Sequence, residues 1–291
     1  MVPRLRRNEY VKSHALGNDY LVVDPRTLSF RLRPPAVRLI CHRHLGVGSD
    51  GILTIEQSRR ADFGMRVFNP DGSEAEKSGN GARIFAKCLW DHGYTRRRTF
   101  EIETRGGMVP VALHLMGRRV RTITAGIGRA TFRSRAIPVS GPDREIVDEE
   151  ITVGRQPFRF TGVSVGNPHC VIFVDDLDSL DLPRLGAALE RHPAFPQRTN
   201  VQFVRVDSPR RVTIRIWERG AGETMASGTS SSAVAAACVR RGYTGREVAV
   251  HSAGGILRVR VAADYALRLT GPAEESCRGA LSPDLLARLR R

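Results

Sequence analysis

The sequence predicts an α/β (α+β) protein of two pseudo-symmetric domains, each a curved, mostly antiparallel sheet or barrel around a central buried helix. Two observations carry that expectation. The first is an internal repeat. Moved by 149 positions, the step from Arg66 to Arg215, "RVFNPDGSEAEKSGNGARIFAKCLWDHG" lies without a gap on "RIWERGAGETMASGTSSSAVAAACVRRG". The same step lays "GNDYLVV" from Gly17 on "GNPHCVI" from Gly166, and "DGILTI" from Asp50 on "TNVQFV" from Thr199. One offset that aligns three separate segments marks two copies of one unit. The second observation is a pair of helices without a broad polar face. "SSAVAAACV" is apolar all round, and "ARIFAKCLW" is interrupted only by Arg83 and Lys87. A helix of that kind is buried.

The elements follow in order. Apolar, β-branched runs predict strands at "YLVVD", "MRVF", "CVIFVDD", "VTIRIW" and "ILRVRV". Helical patterning predicts helices over 36–44, 79–92, 182–191, 228–241 and 283–290. "MGRRVRTITAGIGRATF" is the expected crossing between domains. The domains are then 1–128 and 129–275, with a tail, 276–291, that packs back on the first.

A chain of 291 residues with 41% hydrophobic and 26% charged content can bury a real core. No apolar run approaches the roughly 18 residues of a membrane span. The basic N-terminus is not followed by an apolar stretch, so no secretory signal is expected and the location is expected to be cytoplasmic. Cys41, Cys88, Cys170, Cys238 and Cys277 are odd in number and include no CxxC pair, which predicts reduced thiols. The net charge of +16 comes almost wholly from arginine, since lysine occurs only at Lys12, Lys77 and Lys87. The arginines are scattered, without an aromatic-interleaved stripe or a reading helix. A nucleic-acid partner is therefore not expected.

Ser78 and Ser227 stand at equivalent places, each before the glycine that opens a buried helix. Serine there is a good N-cap. A helix N-terminus also presents free N–H groups and a positive dipole end to an anion. Around the pair lie Asn18, Asn69, Asn80, Asn167, His169, Asn200, Glu218, Arg219 and Thr229. The asparagines can serve turns or ligands. Glu218 and Arg219 can pair with each other, or hold an ammonium and a carboxylate. His169 can be a core residue. No histidine has metal-ligand spacing to it, and "His42-x-His44" reads as the exposed face of a basic helix. "GVGSDG" lacks the lysine of a P-loop, and no lysine sits in a pyridoxal-phosphate context. These features predict chemistry without cofactor or metal.

"GVGSDGIL", "FNPDGSEAEKSGNGAR", "VGNPHCVIFVDD", "FPQRTNVQFV" and "WERGAGETMASGT" together resemble the diaminopimelate epimerases. These are pyridoxal-phosphate-independent isomerases of lysine and peptidoglycan biosynthesis. The resemblance implies a small zwitterionic amino acid, LL- or meso-diaminopimelate, bound between two domains. It leaves a homodimer open and implies no membrane partner. By position it implies substrate contacts from Asn18, Asn69, Gly79, Asn80, Asn167, Asn200, Glu218, Arg219, Gly228 and Thr229, with His169 in support.

In that family two cysteines act from opposite faces of the α-carbon, one as thiolate base and one as thiol acid. They fall on Ser78 and Ser227 here. Lys77 beside Ser78 is also unusual for the family. A thiolate is readily available at a helix N-terminus. A serine hydroxyl needs a partner base, and no His or Asp stands beside either serine in the sequence. An unaided serine should abstract a proton orders of magnitude more slowly. Several readings follow. The chain can be an epimerase using other groups, such as Lys77 or water. It can act as another isomerase, lyase or hydrolase on an amino-acid-like substrate, or as an inactive binding homologue. An introduced pair of Cys→Ser exchanges is also possible, though Lys77 and the run Ser230 to Ser232 speak against it.

Overall fold

The computed structural model describes residues 4–290. Two compact units divide the chain. One comprises Met1–Gly126 with Gly271–Arg291, the other Ile127–Thr270. The second unit thus closes a few residues before the expected boundary at 275.

The first unit opens with β1 (Glu9–Ala15), β2 (Asn18–Val23), α1 (Pro34–Cys41), β3 (Ile52–Glu56), β4 (Phe63–Phe68) and β5 (Glu74–Ala75). It continues through α2 (Gly79–Asp91), β6 (Thr99–Thr104), β7 (Gly107–Met116) and β8 (Arg119–Arg129), which runs across the boundary. The second unit holds β9 (Glu149–Val153), β10 (Gln156–Ser164), β11 (Pro168–Phe173), α3 (Leu182–Glu190), β12 (Asn200–Ser208) and β13 (Arg211–Glu218). There follow β14 (Gly222–Thr224), α4 (Gly228–Arg240), β15 (Glu247–Ser252), β16 (Gly255–Val261) and β17 (Ala266–Gly271). The chain then returns to the first unit with β18 (Glu274–Ala280) and α5 (Pro283–Leu289).

Each unit has the same order of paired strands. In the first it runs β18, β1, β2, β3, β4, β6, β7, β8, antiparallel except at β2–β3 and β4–β6. In the second it runs β9, β10, β11, β12, β13, β15, β16, β17, with parallel steps at β11–β12 and β13–β15. The register repeats as well. Leu21 pairs with Ile52, and one repeat later Cys170 pairs with Val201. Repeated sequence has produced repeated hydrogen bonding.

β2 reads as a nearly unbroken apolar run because both its faces are covered. Tyr20 and Val22 point into the cluster around α2, and Leu21 and Val23 into a second one with Val37, Ile40 and Leu281. α2 is the centre of the first core, with Ile84, Phe85 and Leu89 fully buried. α4 holds the same place in the second unit with small residues, Ala233 to Ala237 being inaccessible. The C-terminal segment is tied to the first unit by β18 on β1 and by His92 Nε2, 2.8 Å from Glu275 Oε2.

α1 stops at Cys41, not at 44, and His42 is its C-cap. The His42 ring accepts from the N–H groups of His44 and Leu45, so the His-x-His pair lies in an exposed turn after the helix. Cys41, Cys88, Cys170 and Cys238 are buried free thiols, and Cys277 is exposed. Among the described residues no helix is long and apolar enough to cross a membrane.

Candidate active site

In each unit a group of the expected residues gathers at the N-terminus of the central helix. Ser78 (φ −138, ψ 124) caps α2 and Ser227 (φ −142, ψ 127) caps α4, in almost identical backbone conformations. Ser78 Oγ accepts from Gly81 N–H at 2.9 Å, and Ser227 Oγ from Ser230 N–H at 3.4 Å. The first N–H groups of either helix lack intrahelical acceptors, which leaves the backbone at Gly79 and Gly228 suited to a carboxylate.

Around Ser78 the second contact is the Tyr20 hydroxyl, which donates to Ser78 Oγ at 3.4 Å. Gly51 makes room for it, since a Cβ there would lie 2.4 Å from Phe68 O and 2.8 Å from Tyr20 Cε1. A relay of amides runs behind the helix end. Arg83 Nη2 donates to Asn80 Oδ1 at 2.8 Å, Asn80 Nδ2 to Asn18 Oδ1 at 3.1 Å, and Asn18 Nδ2 to Asp50 Oδ2 at 3.0 Å. Arg83 is fully buried. Its other donors reach Gly79 O and Pro272 O, and burial pulls its pKa down to about 10. Asn69 turns away from this group and donates to Ser73 Oγ at 2.9 Å. Lys77 is half-buried, and burial holds its ammonium below the ordinary lysine pKa.

Ser227 has different company. Its hydroxyl donates to Glu218 Oε2 at 3.2 Å and lies 3.3 Å from Thr229 Oγ1. Glu218 Oε1 accepts from Thr224 at 2.8 Å. Burial raises the Glu218 carboxyl above the usual range, against the hydrogen bonds from Thr224 and Ser227 that lower it. Arg219 does not pair with Glu218. Its Nη1 donates to Gln197 O at 3.0 Å, and its backbone N–H donates to Asn200 Oδ1 at 2.9 Å. The buried Asn200 also donates to Pro168 O at 2.8 Å, stitching β11 to the end of β13. His169 is inaccessible, with Nε2 3.0 Å from Asn167 Oδ1. Burial lowers its pKa to about 3, so the ring is neutral. It is a core residue beside the half-site. Among the described residues no cluster of three or more His, Cys, Asp or Glu could hold a metal ion.

The family model for diaminopimelate epimerase matches residues 10–132 and 161–275. "Diaminopimelate epimerase 2" of Nostoc sp. is 45% identical over 280 residues, covering 96% of this chain and 97% of that protein. The diaminopimelate epimerase of Desulfitobacterium hafniense is 42% identical over 284 residues, covering 96% and 100%. The chain belongs to the diaminopimelate epimerase family. That family is one of isomerases which work without pyridoxal phosphate. Among solved structures, a hydroxyproline epimerase from Agrobacterium vitis shares the fold, with a TM-score of 0.69, 17% identity, and coverage of 96% and 94%.

Membership does not account for every contact at the serines. A carboxylate does stand beside Ser227, although it comes from nine positions earlier in the sequence. Glu218 ends β13 and Ser227 follows β14, and the antiparallel pairing of Glu218 with Gly222 folds the chain back. The cue was present, because a short turn at Arg219-Gly220-Ala221 predicts a hairpin. Tyr20 gave no such cue, being 58 positions from its partner.

Proposed function

We propose that the protein is a cofactor-independent epimerase of diaminopimelate, with Ser78 and Ser227 as the groups that exchange the α-proton. The observation that carries this reading is the matched pair of serine-capped helix ends in a chain of this family. The substrate carboxylate would take the free N–H groups at Gly79 and Gly228. The amides of Asn18, Asn69, Asn80, Asn167 and Asn200, with Glu218, Arg219 and Thr229, would fix the rest of the zwitterion, one substrate engaging both half-sites. Asn69 would have to leave Ser73 to take part.

The test is α-proton exchange in D2O with LL- and meso-diaminopimelate, followed by NMR. Deuterium at the α-carbon with interconversion of the two isomers is the expected result. Measurable binding of both isomers without exchange would replace this reading with that of an amino-acid-binding homologue.

A further inference from the structure

A side-chain amide can be turned over without changing its shape, so its neighbours set the direction of its hydrogen bonds. In the first unit the neighbours admit one direction. A guanidinium can only donate and a carboxylate can only accept. Arg83 stands at one end of a chain of contacts, with Nη2 donating to Asn80 Oδ1 at 2.8 Å. Asp50 stands at the other end, with Oδ2 accepting from Asn18 Nδ2 at 3.0 Å. Turning Asn80 over would set its nitrogen against Arg83, and turning Asn18 over would set its oxygen against Asp50. Both ends impose the same polarity, and the middle contact, from Asn80 Nδ2 to Asn18 Oδ1 at 3.1 Å, agrees with it.

The two ends are themselves held. Asp50 Oδ2 also accepts from the Asp19 N–H at 3.1 Å, and Oδ1 accepts from Arg43 Nη2 at 2.7 Å. Arg43 reaches Asp19 Oδ1 at 3.1 Å, and Lys12 Nζ lies 3.1 Å from Asp19 Oδ2. Arg83 Nη1 donates to Gly79 O at 3.2 Å. No carboxylate pairs with this fully buried guanidinium among the described residues, its acceptors being amide and peptide oxygens. A buried charge without a counter-ion is costly, and a bound anion relieves it. One repeat later the places of Asn18, Asp50, Asn80 and Arg83 are taken by Asn167, Thr199, Thr229 and Ser232, none of them charged.

We propose that Arg83 and Asp50 are positioning residues for substrate binding, which lock the amides of Asn80 and Asn18 so that each offers one fixed N–H to a substrate carboxylate. This rests on the epimerase reading. Each amide nitrogen has two hydrogens and spends one within the chain of contacts. The other is claimed by no described residue. The charges favour an anion there. Lys12, Arg43 and Arg83 outnumber Asp19 and Asp50 by one cation. Arg83 stays charged at neutral pH even with its pKa pulled down to about 10.

The lock is read first without substrate, by 1H–15N NMR of the Asn18 and Asn80 side-chain amides. Arg83→Met removes a donor that touches Asn80 and not Asn18, yet it should move the Asn18 amide signals as well. Asp50→Ala, at a carboxylate that is partly exposed, should move those of Asn80 from the other end. Signals that change only at the nearer asparagine would overturn the lock, and Asp50→Ala decides the point if Arg83→Met does not fold. With substrate, either change should raise KM for LL-diaminopimelate about tenfold or more and leave kcat within about threefold. Arg83→Lys keeps a donor and a charge, and should recover most of the loss. Residues that served the fold alone would lower the melting temperature and leave the KM of the folded protein unchanged. That result, or a loss confined to kcat, would overturn the proposal and leave the epimerase reading standing. If the natural chain binds diaminopimelate without exchange, the epimerase reading fails and Kd takes the place of KM in the same comparison. If it binds neither isomer, that reading and the ligand assigned to the two amides fail together.

Discussion

The helix ends at Ser78 and Ser227 share backbone angles, capping and strand register, yet almost none of the side chains behind them agree. One repeat apart, Tyr20 stands against His169, Gly51 against Asn200, Asn69 against Glu218, and Arg83 against Ser232. The first helix end is backed by a buried guanidinium and a phenol, the second by a carboxylate and a run of serines. Duplication has kept what the backbone needs, and the polar residues have diverged where only chemistry constrains them.

The central helices differ in bulk, and that contrast carries the largest expected effect. Phe85 in α2 is fully buried among Val11, Val22, Leu53 and Ile102. Phe85→Ala should cost about 4 kcal/mol, read as a lower urea midpoint. In α4 the fully buried Val234 loses only two methyl groups on change to alanine, which should cost about 2 kcal/mol. Equal costs would mean that the cores are packed alike in spite of their sequences.

Next in size is a transplant across the repeat. Gly51→Asn would copy Asn200 into the first unit. The close approach of Phe68 O and Tyr20 Cε1 to any Cβ there predicts a loss of about 3 kcal/mol. A stable variant would show that Tyr20 can leave Ser78, and the unequal wiring of the serines would then rest on less.

The pH dependence should fall on the second unit. His169 has a folded pKa of about 3 against 6.5 for the free side chain. The unfolded chain takes up a proton below pH 6.5 and the folded one does not. Stability from the neutral ring is therefore complete above that pH and is lost as pH falls toward 3. The loss by pH 5 should be roughly 2 kcal/mol. His169→Gln should flatten the stability profile between pH 6.5 and 5, measured by urea melts. An unchanged slope would assign the acid sensitivity to another group.

The sequence made the scaffold legible and the wiring much less so. The repeat, the five helices and the capping serines are all local or periodic signals. Their readings fall within a few residues of α1 to α5, apart from the run-on past Cys41 into His42 and His44. The contacts that distinguish the serines are tertiary. Glu218 reaches Ser227 across a hairpin, and Tyr20 reaches Ser78 only after β2 and α2 pack together. Arg219, adjacent to Glu218 in sequence, already belongs to the turn after β13, and its guanidinium donates to Gln197 O instead of meeting Glu218.

The smallest effect separates capping from chemistry. Ser78 Oγ holds its cap donor at 2.9 Å and Ser227 Oγ at 3.4 Å. Ser78→Ala should therefore cost about 1 kcal/mol of stability and Ser227→Ala roughly half as much. The second change also strips Glu218 Oε2 of a hydrogen bond while the carboxylate stays enclosed, which adds a cost of its own above the Glu218 midpoint. Thermal melts at two pH values resolve the terms. A penalty for Ser227→Ala that grows with pH while that for Ser78→Ala stays constant is the expected pattern. If both stay constant, the two serines are equivalent caps and the Ser227–Glu218 hydrogen bond adds nothing to stability.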